Sequence, residues 1–103
     1  MPKFVFAYHG GKKPATKEEG AAAMAAWTQW FEELGPAVLN AGSPVGQSWT
    51  VSSGSVVETG GANPISGYSV IQAPDMVTAV KYAKGCPLVK AGGSVEVAEA
   101  LPF

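Results

Sequence analysis

His9 is the only histidine among the 103 residues, and histidine is the side chain that most readily exchanges a proton near neutral pH. It follows residues 3–8, a short run rich in Phe, Val and Tyr that is typical of a buried strand. A histidine held at the end of a strand can catalyse proton transfer on a small carbonyl or lactone substrate. It can equally close a loop by hydrogen bonding to backbone, and the sequence leaves both roles open.

Four further side chains are candidates for contacting a ligand. If the first strand is central and antiparallel to the strands that start near Gly67 and Ser94, His9 lies beside Ser94 and beside Tyr68 or Ser69. A phenol and a hydroxyl next to an imidazole would suit acid–base chemistry. We therefore assign His9 as the candidate catalytic residue and the following as candidate ligand contacts: Tyr68, Ser94, Glu96 and Trp49.

Glu96 alternates with Val95 and Val97 in the last strand, so it points to the opposite face of the sheet. If the valines pack under helices, Glu96 faces the surface that a second subunit would cover, although a solvated or paired carboxylate is the commoner situation. Trp49 lies in an irregular segment and suits a pocket lid or a dimer contact.

The remaining candidates for chemistry are few. Cys86 follows the end of a predicted helix, where the helix dipole disfavours a thiolate, so we expect it to pack in the core. A single cysteine cannot form an internal disulfide, which favours a cytoplasmic location. One His and one Cys cannot build a typical zinc site, so no metal and no cofactor are expected. Residues 10–11 and 60–64 are glycine-rich and could surround an anion, but turns are the commoner role of such segments.

Composition excludes several classes of partner. Charged residues make up 15% of the chain, the formal net charge is −1 and no basic block occurs, which argues against nucleic acid. No apolar run approaches the roughly 18 residues that span a bilayer. A hydrophobic fraction of 47% predicts a folded protein, and the length predicts one domain over residues 1–103.

The first helix is predicted by its cap and its periodicity. Thr16 and Glu19 form a capping-box pattern, and Gly35 with Pro36 ends the helix. Large apolar residues recur on one side, which we expect to be mostly core: Met24, Trp27, Trp30, Phe31 and Leu34.

The rest of the chain completes a strand–helix–strand repeat. Strands are predicted at residues 37–41, 67–73 and 94–98, a small hairpin near residues 48–58, and a second helix capped by Asp75 and ended by Gly85 and Pro87. This order predicts an α+β, ferredoxin-like split βαβ fold, with an antiparallel sheet and two helices on one face.

Three segments carry a resemblance to a known family: Gly67-Tyr-Ser-Val-Ile71, then Gly85-Cys-Pro87, then Gly92-Gly-Ser-Val-Glu-Val97. Together with Phe4-Val-Phe-Ala-Tyr8 they resemble the YCII-related (DGPF/YciI-like) family over nearly the whole chain. The resemblance implies a dimeric α+β barrel, a homodimer formed through the sheet faces. The family's Asp-Gly-Pro-Phe motif is replaced here by Thr59-Gly-Gly-Ala-Asn-Pro-Ile65, and its His/Asp pair has no clear counterpart.

Two functions are therefore expected as alternatives. One is a cofactor-free enzyme that does acid–base chemistry on a small organic molecule in a cleft near His9. The other is a non-catalytic ligand-binding or accessory domain that works as a homodimer.

Overall fold

The computed structural model describes residues 1–102, and they form six strands and three helices around one four-stranded sheet. The strands are β1 (Lys3–His9), β2 (Val38–Pro44), β3 (Thr50–Ser52), β4 (Ser55–Val57), β5 (Ile65–Gln72) and β6 (Ser94–Ala100). The helices are α1 (Lys17–Leu34), α2 (Met76–Lys84) and α3 (Pro87–Lys90), with a 3₁₀ turn at Gly35–Ala37.

The main sheet has the strand order β2-β5-β1-β6, and every neighbouring pair is antiparallel. This is the order that the ferredoxin-like prediction requires, so the predicted fold class is confirmed. The predicted hairpin is also present, since β3 and β4 pair as a separate two-stranded sheet.

The core lies between one face of this sheet and the helices. Phe4, Phe6 and Tyr8 alternate along β1 and are almost fully buried, as the two-residue period of a strand requires. Trp30 of α1 stacks near Phe6, with ring centroids 6.3 Å apart, and its indole Nε1 donates to the Tyr82 carbonyl oxygen of α2 at 3.1 Å. The sheet is therefore tied to both helices through one tryptophan.

Both predicted helix caps are confirmed. The Thr16 hydroxyl accepts from the Glu19 amide at 3.1 Å, while the Glu19 carboxylate accepts from the Ala15 amide at 2.7 Å, one residue before the position that a standard capping box uses. Asp75 accepts from the Thr78 amide at 2.8 Å. Hydrogen bonding with Thr78 lowers the pKa of Asp75, because it favours the ionised carboxylate.

Two boundaries differ from the sequence expectation. The strand predicted to break at Gly42 continues to Pro44 as part of β2. Gly42 adopts a φ of +75°, which glycine permits, and its missing side chain lets β2 approach β5 closely. A Cβ at Gly42 would stand only 1.8 Å from the Tyr68 carbonyl oxygen. Pro87 stops α2 as expected but also begins α3, because proline suits the first position of a helix.

The apolar stripe of α1 is divided rather than wholly buried. Trp30 is 4% exposed, Trp27, Phe31 and Leu34 are half-buried, and Met24 is 75% exposed. The expectation of a mostly buried stripe was therefore wrong for Met24. Trp30 is the one fully buried residue of α1, while Trp27, Phe31 and Leu34 pack against the core with part of each side chain exposed, so only part of this helix contacts the core.

Within residues 1–102, no helix combines the length and the apolar character that crossing a membrane requires.

Candidate functional site

An open cleft of about 1120 Å³ lies between α1 and the segments that surround the β2 and β5 strands. Its opposite wall comes from residues 41–48 and 59–68, and the turn at residues 10–14 borders it where the chain enters α1. The cleft is open to solvent, and its volume is slightly above the roughly 300–1,000 Å³ that is typical of small-molecule sites. We refer to this space as the cleft.

One stripe of α1 supplies the helical wall of the cleft. The wall residues recur at intervals of three and four positions, so they lie on one helical face: Gly20, Ala23, Met24, Trp27, Thr28 and Phe31. Small residues occupy the beginning of this stripe and aromatic residues its end. The wall is therefore open near the start of α1 and aromatic further along.

The aromatic end of the cleft is rigid because its rings pack on one another. Trp27 meets Tyr8 edge to face with centroids 5.0 Å apart, and it lies 5.9 Å from Phe31. Such arrangements stabilise aromatic pairs beyond the area that they bury. Trp27 and Phe31 therefore present a fixed apolar surface to a ligand.

A chain of buried hydroxyl groups lies beneath this surface. The Tyr8 hydroxyl donates to Ser69 Oγ at 2.7 Å, and the Ser69 hydroxyl donates to the Ala41 carbonyl oxygen at 2.7 Å. Burial raises the pKa of Tyr8 far above its ordinary value, because an ionised phenolate would lose its solvation there. Tyr8 is thus a neutral phenol whose hydroxyl proton is hydrogen-bonded to Ser69 Oγ.

Lys12 and Lys13 border the cleft at its mouth, beside Gly10, Gly11 and Pro14. Gly10 and Gly11 both have positive φ values, of 70° and 90°, so this segment forms the tight turn that glycine permits. The Lys12 amide donates to the Ala91 carbonyl oxygen at 3.0 Å, which fixes the turn against the end of α3.

His9 lies on the other face of the sheet, which carries Val5 and Ala7 of β1 and which we call the open face. Its Nδ1 lies 3.0 Å from the Asn63 carbonyl oxygen and 3.2 Å from that of Pro64. Carbonyl oxygens only accept, so Nδ1 carries the hydrogen. Its Nε2 lies 3.1 Å from the Glu96 carboxylate, and the two side chains are 13% and 68% exposed.

The structure therefore brings His9 and Glu96 together but does not place His9 on the cleft wall. A cleft was expected beside His9, but the His9 ring lies on the opposite side of the sheet from the cleft. Side chains alternate along β1, so His9 shares the open face with Ala7, whereas Tyr8 faces α1. Three residues next to His9 do line the cleft, namely Asn63 and Pro64, whose carbonyl oxygens face its Nδ1, and Ile65, its partner in the strand register.

The other predicted contacts are distributed around this arrangement. Ser94 is opposite His9 in the strand register, as expected. Tyr68 is opposite Ala7 and borders the cleft, whereas Ser69, the expected alternative to Tyr68 beside His9, is fully buried against Tyr8. Trp49 is 55% exposed and is not among the residues that line the cleft.

Cys86 is fully buried, as predicted, and burial raises the pKa of its thiol to about 11. Among residues 1–102, no three His, Cys, Asp or Glu side chains are grouped so that they could hold a metal ion.

Sequence reasoning did not assign Lys12, Lys13, Trp27 or Phe31 to a site. The available signals were two adjacent lysines directly before a helix cap, and small residues that share a helical face with two aromatic ones. Neither signal distinguishes a cleft from a core without the distance between α1 and the sheet.

Comparison with known protein families gives a clear assignment, because residues 4–103 match the model of the YCII-related domain family. The chain belongs to the YCII-related domain family. The predicted resemblance is thus confirmed over nearly the whole length of this YCII-related chain. A search of curated proteins found no match to it.

Proposed function

We propose that this YCII-related chain is a non-catalytic binding domain whose cleft holds a small, largely apolar organic molecule. The observation that carries the proposal is the cleft itself: about 1120 Å³, with one wall formed by a stripe of α1 that ends in Trp27 and Phe31. Concave sites with fixed aromatic walls and few polar groups are the usual form of small-molecule sites.

The groups that face the cleft suit binding better than catalysis. Among the described residues, the cleft lining contains no His, Asp or Glu. The Tyr8 hydroxyl donates to Ser69 in a buried position that opposes its ionisation, and the Thr28 hydroxyl donates to the Met24 carbonyl oxygen. The acid–base pair His9 and Glu96 lies across the sheet, so the enzymatic alternative would require a substrate on the open face instead.

The proposal is tested with N-phenyl-1-naphthylamine, a neutral aromatic dye that fluoresces in apolar surroundings. We expect the wild-type chain to bind the dye, and Ala23→Trp to weaken binding at least about tenfold, equivalent to 1.4 kcal/mol, because the indole would occupy the space beside Trp27 that the dye rings require. Fluorescence titration gives both dissociation constants.

Ala22→Trp is the matched control for this substitution. Ala22 is the neighbouring exposed alanine of α1 and does not line the cleft, so its indole would project into solvent. We expect it to bind the dye as the wild type does. Equal binding by Ala22→Trp and Ala23→Trp would contradict the proposal.

We further propose that the chain forms a homodimer through its open face, in the cytoplasm. Apolar residues continue across this face, namely Val5 and Ala7 of β1, Val70 of β5 and Ala98 of β6. In addition, the hairpin β3–β4 exposes Val51 and Val56, beside the exposed Trp49. A two-stranded hairpin is marginally stable alone, so cover by a second subunit would stabilise it.

Light scattering at micromolar concentration tests the dimer. We expect a mass about twice the 10.5 kDa of one chain, and Ala98→Lys to give the single-chain mass, because an ammonium group would then be buried in an apolar interface without a partner. Met24→Lys makes the same charge change on α1 and should remain dimeric. A wild-type mass near 10.5 kDa would refute the dimer.

A further inference from the structure

We infer that the ligand of the cleft is an apolar organic anion, whose ring system contacts Trp27 and Phe31 and whose anionic group lies at Lys12 and Lys13. This inference rests on the proposed binding function and specifies its ligand class. The charges and the shape of the cleft carry it as two separate observations.

The charge at the mouth has one sign. Lys12 and Lys13 line the cleft, and no carboxylate does so among the described residues. Beyond the mouth, the adjoining depression adds Lys90 of α3 and Glu19 of α1, so three ammonium groups and one carboxylate leave this region with a net positive charge. Three of the seven basic residues therefore gather here in a chain whose net charge is −1.

This concentration of lysine charge is found at the cleft and does not reflect the average charge of the protein surface. The protein as a whole is slightly acidic, with a sequence pI of about 5.7, so an anion gains little from its general field. A concave site with low-polarity walls focuses the potential of the charges at its rim. An anion is therefore favoured where Lys12 and Lys13 meet the open beginning of the α1 wall.

The shape of the cleft then places the apolar part of the ligand. Gly20 and Phe31 mark the two ends of the α1 wall, and their separation of eleven positions corresponds to about 16.5 Å along the helix axis. The lysines are at the end with small side chains, and the aromatic rings are at the other. A molecule with an anionic end and an aromatic body matches this polarity along its length.

A matched pair of dyes separates charge from shape. N-phenyl-1-naphthylamine and 8-anilino-1-naphthalenesulfonate share their aromatic rings, and only the second carries a sulfonate. We expect the sulfonate dye to bind the wild-type chain more tightly. The double variant Lys12→Gln/Lys13→Gln should weaken sulfonate binding about three- to tenfold and change binding of the neutral dye less than twofold.

The control is Lys81→Gln/Lys84→Gln, which makes the same change of net charge on α2, away from the cleft lining. It should leave both dissociation constants unchanged. Raising the salt concentration should weaken sulfonate binding by the wild type and have little effect on the Lys12→Gln/Lys13→Gln variant, since salt screens exposed charges.

The two proposals fail in different ways. Suppose that Ala23→Trp blocks the neutral dye, as the binding function requires. The anionic ligand class is then overturned, and the binding function stands, if the wild-type chain binds the sulfonate dye no more tightly than the neutral dye. The same conclusion follows if both lysine double variants lose affinity for the sulfonate dye equally. If Ala23→Trp and Ala22→Trp bind the neutral dye equally, the binding function itself is overturned and the ligand class falls with it.

Discussion

Phe6→Ala should lower the free energy of unfolding by about 3–5 kcal/mol, the largest loss that we expect from any single substitution in this chain. Phe6 is fully buried at the centre of β1, and its ring lies 6.3 Å from that of Trp30, the most deeply buried residue of α1. Truncation would leave a cavity between the sheet and the helices. Urea unfolding followed by tryptophan fluorescence measures the loss.

A small protein has only about 5–15 kcal/mol of stability in total, so Phe6→Ala removes a large part of it and a milder variant is needed beside it. Phe6→Leu keeps more of the buried volume and should show a smaller loss of the same sign. Met24→Ala is the control, since Met24 is 75% exposed, and it should change stability by less than about 0.5 kcal/mol. A similar loss for Phe6→Ala and Met24→Ala would contradict the position of the core.

The second large effect is a loss of stability in alkaline solution. Burial raises the pKa values of the Tyr8 phenol and of the Cys86 thiol, the latter from 9.0 to about 11. Both groups keep their protons in the folded state, while the unfolded chain releases them as the pH rises through about 9–10. The unfolded state then binds fewer protons, so the free energy of unfolding falls as the pH rises.

Below about pH 8 this contribution is fully present, and by pH 11 Cys86 alone should have lost on the order of 2 kcal/mol. Tyr8→Phe combined with Cys86→Ala should flatten the dependence between pH 8 and 11, because neither remaining side chain ionises. Thermal unfolding at pH 7, 9, 10 and 11 measures the slope. Met24→Ala, which removes no ionisable group and is exposed, should keep the wild-type slope, and an unchanged slope in the double variant would refute the assignment.

The fold was largely predictable because its signals are local. The caps at Thr16 and Asp75 fix where α1 and α2 begin. In each cap, a side-chain oxygen accepts a hydrogen bond from the backbone amide three residues further along the chain. The alternation along β1 and β6 then fixes which side chains meet the helices. Because chain order and helix packing restrict how such elements pair, the ferredoxin-like arrangement followed.

The site was less predictable because it depends on distances between distant segments. The pattern of α1 indicated which residues share a face, but not that only Trp30 would reach the core. His9 and Glu96 were each placed correctly along their strands, and the register that sets Ser94 opposite His9 also brings Glu96 within reach of it. Their position across the sheet from the cleft required the three-dimensional structure.

The limited contact of α1 with the sheet also bears on how this chain can change over evolution. Folding depends on Trp30, while Ala23, Met24 and Thr28 face the cleft and contribute little to the core. Substitutions at those three positions can alter the shape and polarity of the cleft without the cavity penalty that core residues incur. One helix thus separates the residues that maintain the fold from those that are free to diversify, so the shape of the cleft can change while the architecture stays the same.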